Sequence, residues 1–379
     1  MRITDYDRVR DVPEPVWTAA TPPDFFFRLP FLEVMQESGV EGARYRYLIL
    51  RQGDQPVGAA VLTAFTLRLD LLAGEAWIRA LRRWLPRLLD VPIICCGIPA
   101  SYGQHHFHVR EGIDVDAAVR LVHRYMMEWA EAERCGMLFW KEWNRHQAPH
   151  AALRRAGYTP LPTLPDHRLS LPAAGFDHFV CAMRSSYRRK YRNAVALFGQ
   201  EGPVQASGPF VLEDSPFAPR HVEAFYHGYT QVMERTPVRL ETYPRAFFAR
   251  LADSTVDARQ LCLMHTANKE SLAALLYPGR DALTFGLVSK EKATYGASLY
   301  TLLLQCITLY ALRRGYREVR LGQTSSYAKC SVGARPWRLE TLVRMRAGWQ
   351  QRVLQGLGPR FFPEVEVPQL RVFRNGAGR

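Results

Sequence analysis

A lysine and a glutamate stand side by side at positions 141 and 142, at the end of the apolar run MLFWKEW. A carboxylate beside a cation at a strand end can take a proton from an amine, as general-base chemistry requires. The same two charges could equally pair with each other and hold structure. A second lysine, Lys329, follows the short run REVRLG in the polar segment QTSSYAKCSVGARP, among Gln323, Tyr327 and Gly333. A cation at the C-terminal edge of a strand can neutralise a substrate carboxylate or a developing oxyanion. The plain alternative is an exposed loop lysine. Thr294, Gly296, Ala297 and Ser298 lie between a strand-like run and a long helical one. Small residues at a helix start leave backbone N–H groups open to phosphate oxygens. A donor carrying phosphate, and transfer of an acyl group from it, is the chemistry this set suits.

The elements that must position these residues are legible in outline. LTFGLV, the turn KEKATYGAS, the helix LYTLLLQCITLYALRRG and the strand REVRLG form a strand–helix–strand unit, with Leu299, Leu302, Leu303, Cys306, Leu309 and Tyr310 as its core side. Earlier, Tyr45–Arg51 and Val57–Leu67 read as a hairpin around QGDQP. VPIICCGIPA reads as a buried strand, Asp116 to Arg134 as an amphipathic helix closed by Gly136, and MLFWKEW as the next strand. Phe176 to Gly199 reads as one helix, with Val180, Met183, Tyr187, Tyr191, Ala194 and Phe198 forming an apolar stripe. Beside that stripe Arg184, Arg188 and Arg192 repeat at one-turn steps with no acid between them, which suits a solvated face or an anion-binding surface. The second half repeats the succession of hairpin, helix, strand and helix without a residue-level repeat.

Composition narrows the classes. At 379 residues with 47% hydrophobic residues, two globular domains are expected. Fifty basic against 36 acidic side chains leave a net charge of +14, which favours anionic partners such as nucleotide donors, RNA or a phospholipid surface. Seven scattered cysteines without a CxxC pair read as reduced core residues, and the N-terminus MRITDYDRV has no signal-like apolar stretch, so a cytoplasmic protein is expected. No run approaches the roughly 18 uncharged apolar residues of a membrane span. His106 and His108 share one face of an extended segment, but two histidines without a third ligand make a poor zinc site, and no metal is expected. GxSxG, HExxH, Walker lysine and GxGxxG patterns are all missing.

The order LSLPAAGFDHFVCAMRSSYRRKYRNA, then TFGLVSKEKATYGASLYTLLLQCITLYALRRGYREVRLGQTSSYAKCSVGARP, resembles the FemAB-related, "BioF2-like" acetyltransferases of the GNAT superfamily. LFWKEWN and GYTPLPTLPDHRLSLP fit the same pattern, and the resemblance spans roughly residues 135 to 346. It implies an α/β (α+β) chain of tandem GNAT-like folds, each a mixed, curved sheet flanked by helices. The expected layout is residues 1–175, a basic connecting helix over 176–200, and 201–379. The resemblance maps the donor's pyrophosphate to Thr294–Ser298, where KATYGA stands in place of the usual arginine/glutamine-x-x-glycine-x-glycine. It also matches Lys329 to the family's lysine in the glutamine–threonine–serine–tyrosine loop. The reading that follows is an N-acyltransferase using acyl-CoA and a small-molecule amine acceptor. Glu142 would be the base, Lys329 would act on the carbonyl, Lys141, Gln323 and Tyr327 would hold substrate, and Arg188 would hold donor phosphates. An aminoacyl-tRNA donor, as in Fem-type relatives, is the alternative, and a non-catalytic binding module the third reading.

Overall fold

Alternating burial and turn chemistry produce the first elements. In a computed structural model the described residues are 1–68, 90–100, 102–173, 175–195, 210–236, 241–266, 269–291, 297–361 and 364–374. They divide into two compact units: unit 1 comprises Met1–Leu164, Thr236–Arg250 and Arg338–Val365, and unit 2 comprises Pro165–Arg235, Leu251–Trp337 and Glu366–Arg379.

Unit 1 begins with strand β1 (Arg2–Tyr6) and helices α1 (Glu14–Ala20) and α2 (Leu29–Glu37). β2 (Arg44–Gln52) and β3 (Gln55–Arg68) make the expected hairpin, which turns at Gly53 in the left-handed region (φ 60°). β4 (Asp90–Cys96), the short β5 (Phe107–Val109), α3 (Val115–Ala132) and β6 (Met137–Trp143) follow, then α4 (Ala148–Arg155) and β7 (Thr159–Pro162). The Asp114 carboxylate caps α3 by accepting the Ala117 N–H at 3.1 Å. Val119, Val122, Met126 and Ala130 on α3 pack with Leu62, Ile94, Leu138 and Trp140 of the sheet, the buried core of this unit. α3 leaves through Arg134 in the left-handed region (φ 54°), two residues earlier than the Gly136 stop expected from sequence.

Unit 2 contains β8 (Asp166–Ser170), α5 (Gly175–Cys181), α6 (Ser185–Val195), β9 (Phe210–Pro216), α7 (Val222–Arg235), β10 (Arg259–His265), β11 (Ser271–Pro278), β12 (Ala282–Glu291), α9 (Ala297–Arg313), β13 (Glu318–Arg320), α10 (Ser326–Ser331) and β14 (Arg335–Trp337); α8 (Arg245–Asp253) runs across a unit boundary. β15 (Glu340–Met345) and α11 (Gly348–Phe361) then return to unit 1.

The two sheets share one plan. Unit 1 runs β1-β2-β3-β4-β6-β15-β7, with β5 paired to β3, and unit 2 runs β14-β8-β13-β12-β11-β10-β9. Among the described residues each has one parallel pair, β4–β6 and β12–β13, spanned by a crossover helix, α3 or α9. Beyond the parallel pair lies a strand from the other half of the sequence: β15 between β6 and β7, and β8 between β13 and β14. This exchange corrects the expected layout. Residues 165–175 pair into unit 2 and residues 338–365 into unit 1, because each strand finds its hydrogen-bonding edge there. The segment expected to connect two domains, α5 and α6, is part of unit 2 itself.

That segment is also two helices rather than one. At the break Arg184 N donates to Val372 O at 2.9 Å, Arg374 N donates to Ala182 O at 2.9 Å, and Met183 bridges to Phe373. The C-terminal segment takes the backbone groups that would have continued the helix. The Tyr191 hydroxyl then ties α6 to the core by donating to Val332 O at 2.8 Å. Residues 196–199 lie outside the described residues.

Candidate active site at the strand ends of unit 2

β12 and β13 stay paired only from Ala282↔Glu318 to Thr284↔Arg320; β12 then continues to Glu291 beside β11 without β13. A bulge helps it turn away. Leu275 pairs with Leu287 but Leu276 with Phe285, so Gly286 is the extra residue. A Cβ there would come within 2.3 Å of the Tyr277 ring, which restricts the position to glycine.

The shorter strand ends in a turn built around Gly322 (φ 76°). Leu321 N donates to His167 O at 2.8 Å, and Gly322 O accepts from His167 N at 3.2 Å and contacts His167 Nδ1 at 2.9 Å. A carbonyl only accepts, so that second bond puts the imidazole proton on Nδ1 and the lone pair on Nε2. Ser325, also left-handed (φ 61°), opens α10, and its side chain hydrogen-bonds Tyr300 of α9.

Lys329 therefore sits on a short helix and is buried at 2% exposure, not on an exposed loop as the polar composition of its segment suggests. The side-chain position that Gly322 leaves empty is 3.6 Å from Lys329 Nζ. Among the described residues no hydrogen bond or ion pair engages that Nζ. Burial pulls the amine down to about pKa 7, against the opposing pull of the Asp166 carboxylate. Asp166 is itself fully buried; Oδ2 accepts from Arg168 Nε at 2.9 Å while Oδ1 has no partner. The Arg168 guanidinium lies over the Trp337 ring at 4.7 Å. Burial also lowers the pKa of His167, which is wholly enclosed. Gln323 is buried in the same turn. Tyr327 is 68% exposed, and two residues along a helix from Lys329 it projects elsewhere.

The equivalent turn of unit 1 is organised differently. Glu142 lies within β6, beyond the last residue paired to β4 (Cys96↔Trp140), in the left-handed region (φ 63°), and is 2% exposed. Its carboxylate accepts the Gln104 N–H at 2.8 Å. Lys141 Nζ donates to Ala100 O at 2.8 Å and Ile98 O at 3.4 Å, and lies 3.9 Å from Glu142 Oε1. Thr63 holds Gly97 O at 2.8 Å, and His105 stacks on Trp143 with centroids 4.0 Å apart. Lys141 and Glu142 thus clamp the chain that leaves β4.

Of the other sequence candidates, Ala297 and Ser298 fall in the first turn of α9, while Thr294 and Gly296 lie outside the described residues. Arg188 is half-buried on α6, which packs on α9. Lys329 and Gln323 are brought together in unit 2, whereas Lys141 and Glu142 belong to unit 1. His167 and Asp166 escaped the sequence reading, in which TPLPTLPDH is a loop and the strand begins at RLSLP; the structure starts β8 at Asp166. What singles them out is the pairing of β8 beside β13, which no local pattern encodes. Among the described residues no group of histidine, cysteine or carboxylate side chains could hold a metal ion, and no helix is long and apolar enough to cross a membrane.

The architecture has solved counterparts. A tandem GNAT protein from the clavulanic acid biosynthesis pathway superposes with a TM-score of 0.53 at 12% identity, covering 91% of this chain and 99% of that one. FemX superposes with a TM-score of 0.58 at 11% identity, covering 94% of this chain and all of the other. This chain has the tandem GNAT fold. The C-terminal domain of a putative lysylphosphatidylglycerol synthetase from Agrobacterium fabrum reaches a TM-score of 0.50 at 10% identity over 95% of this chain and 98% of that chain. No protein-family model matches the sequence, and no curated protein matches it. In this tandem GNAT chain the two parallel-pair ends differ: among the described residues the lysine of unit 1 is paired and that of unit 2 is buried without a partner.

Proposed function

We propose that this tandem GNAT chain is an N-acyltransferase whose reaction centre is the β12–β13 end of unit 2. The observation that carries this reading is the buried, unpaired Lys329 Nζ beside the Gly322 turn. Buried polar groups are normally hydrogen-bonded, and a buried lysine kept without a partner suits an anion that forms only during reaction. An amine attacking a thioester carbonyl makes such an anion on the carbonyl oxygen. The C–N bond forms, the C–S bond breaks, and the amine's proton leaves with the thiol. The Lys329 ammonium offsets the charge on oxygen, His167 holds the turn through Gly322 O, and Gln323 lines it. An acyl-CoA is the donor and a small amine the acceptor. In this reading Lys141 and Glu142 serve as the clamp of unit 1, and the first turn of α9 faces the donor.

A second donor class has its own support. Arg184, Arg188, Arg189 and Arg192 lie on α6, and the backbone bonds at the helix break bring Arg371 and Arg374 beside them. Among the described residues none of these six has an ion-pair partner. A polyphosphate donor such as aminoacyl-tRNA would neutralise such a surface, and its binding would weaken steeply with salt as counterions are released.

The test is a panel of acyl-CoAs and charged tRNAs offered with mixed amines, read by product mass and thiol release. Wild type forms an amide with at least one donor, and Lys329→Met lowers kcat roughly 10²–10³-fold, the usual loss of an oxyanion-stabilising donor. Equal turnover by Lys329→Met would overturn the assignment, and a silent panel would overturn the enzyme.

A further inference from the structure

We propose that His167 is the base that takes the proton from the attacking amine, a role resting on the acyltransferase reading above. The geometry carries it in three steps. First, the Gly322 carbonyl, 2.9 Å from Nδ1, fixes the tautomer and leaves Nε2 as an acceptor. Second, Nε2 is buried and has no hydrogen-bond partner, in a residue with no exposed surface. An orphaned acceptor of this kind requires an explanation, and a donor supplied by a bound substrate is one. Third, His167 and Lys329 flank the same glycine: one holds its carbonyl, and the other has Nζ 3.6 Å from where its side chain would begin. An acceptor and a cation on either side of one turn are what amine attack on a carbonyl needs, a proton sink for nitrogen and a counter-charge for oxygen.

The step balances without another reactant. As the amine nitrogen bonds the carbonyl carbon, its proton passes to Nε2. When the C–S bond breaks, the imidazolium returns that proton to the departing sulfur. The products are an amide and a free thiol, with His167 neutral again.

The surroundings keep the imidazole neutral between turnovers. Burial lowers its pKa and Lys329 lowers it further, while Asp166 on its own strand and the bond to Gly322 O oppose them. Its register partner on β14 is Pro336, and Leu321 precedes the turn on the β13 side, so neither adds a charge.

The experiment is the pH dependence of kcat/KM for wild type, His167→Asn and Lys329→Met, with thermal melts of each. Asparagine can set an amide nitrogen where Nδ1 stands and keep the Gly322 bond, but has nothing at Nε2. Wild type should lose activity on the acid side with an apparent pKa below 6.5. His167→Asn should melt like wild type, lose roughly 10²-fold or more in kcat/KM, and lose that acid limb. A wild-type profile flat below pH 6.5 overturns the proposal even if the variant fails to fold. So does a folded His167→Asn with normal turnover; if Lys329→Met is then inactive, the acyltransferase reading stands and only the base is wrong. Absence of activity in wild type overturns both.

Discussion

Units 1 and 2 end their parallel strand pairs with the same backbone device and opposite chemistry. In each, a residue other than glycine takes the left-handed conformation beyond the parallel-paired stretch, Glu142 at φ 63° within β6 and Ser325 at φ 61° after β13. Non-glycine residues pay for such a conformation in strain, and they persist where the surrounding structure holds them. Unit 1 uses its lysine and carboxylate on its own main chain, at the carbonyls of Ile98 and Ala100 and the amide of Gln104. Unit 2 buries two acceptors, Asp166 Oδ1 and His167 Nε2, without satisfying them, and a lysine that makes no hydrogen bond or ion pair among the described residues. A duplicated architecture can thus keep one copy for stability and leave the other with unmet electrostatic demands, where chemistry is available.

The sharpest way to break this contrast is to mutate both copies in one assay. Lys329→Met should cost roughly 10²–10³ in kcat, whereas Glu142→Gln, which keeps an oxygen for the Gln104 amide, should stay within a few-fold. Comparable losses from both would show that the two turns do not divide the work as described.

Stability should respond with the reverse sign. The Lys329 amine titrates near 10.5 when unfolded and near 7 when folded. Between those values the unfolded chain holds more protons, so wild type gains stability as pH rises; at and below pH 7 the full cost of burying the charge is present. Lys329→Met should therefore be stabilising by roughly 1–4 kcal/mol at pH 6–7, with the gain fading towards pH 10.5 in denaturant melts. A gain that grows with pH would contradict the burial argument.

In unit 1, Lys141→Met removes the donor to two carbonyls and should destabilise by about 1–3 kcal/mol, measured by urea unfolding. A stabilised Lys141→Met would mean that the clamp is dispensable. The smallest effect belongs to Tyr327→Ala. Its exposed ring should change stability by less than about 0.5 kcal/mol and leave kcat nearly untouched, and a large kinetic loss would restore it to the site.

How far the site was legible follows from the range of each signal. Lys329 and Gln323 stood out because a polar segment after a strand is a local pattern. Tyr327 shares that segment, but that its ring is exposed while Lys329 and Gln323 are buried is not encoded by sequence proximity. The Phe176–Gly199 stripe has helical periodicity throughout, but residues 372–374, almost two hundred positions away, compete for its backbone groups and break it at Met183.

By itself the sequence determined the local periodicities: the hairpin of β2 and β3, the apolar stripes of α3 and α9, and the strands β4, β6, β12 and β13 that those helices bridge. Only the tertiary structure decided that β8 and β15 change units, that Lys329 is enclosed beside His167 and Asp166, and that Arg371 and Arg374 join the cations of α6. Helical and strand periods depend on neighbours a few residues apart, so composition and spacing encode them. Strand partners and desolvation are sums over residues distant along the chain, and they take a value only once the sheet is assembled.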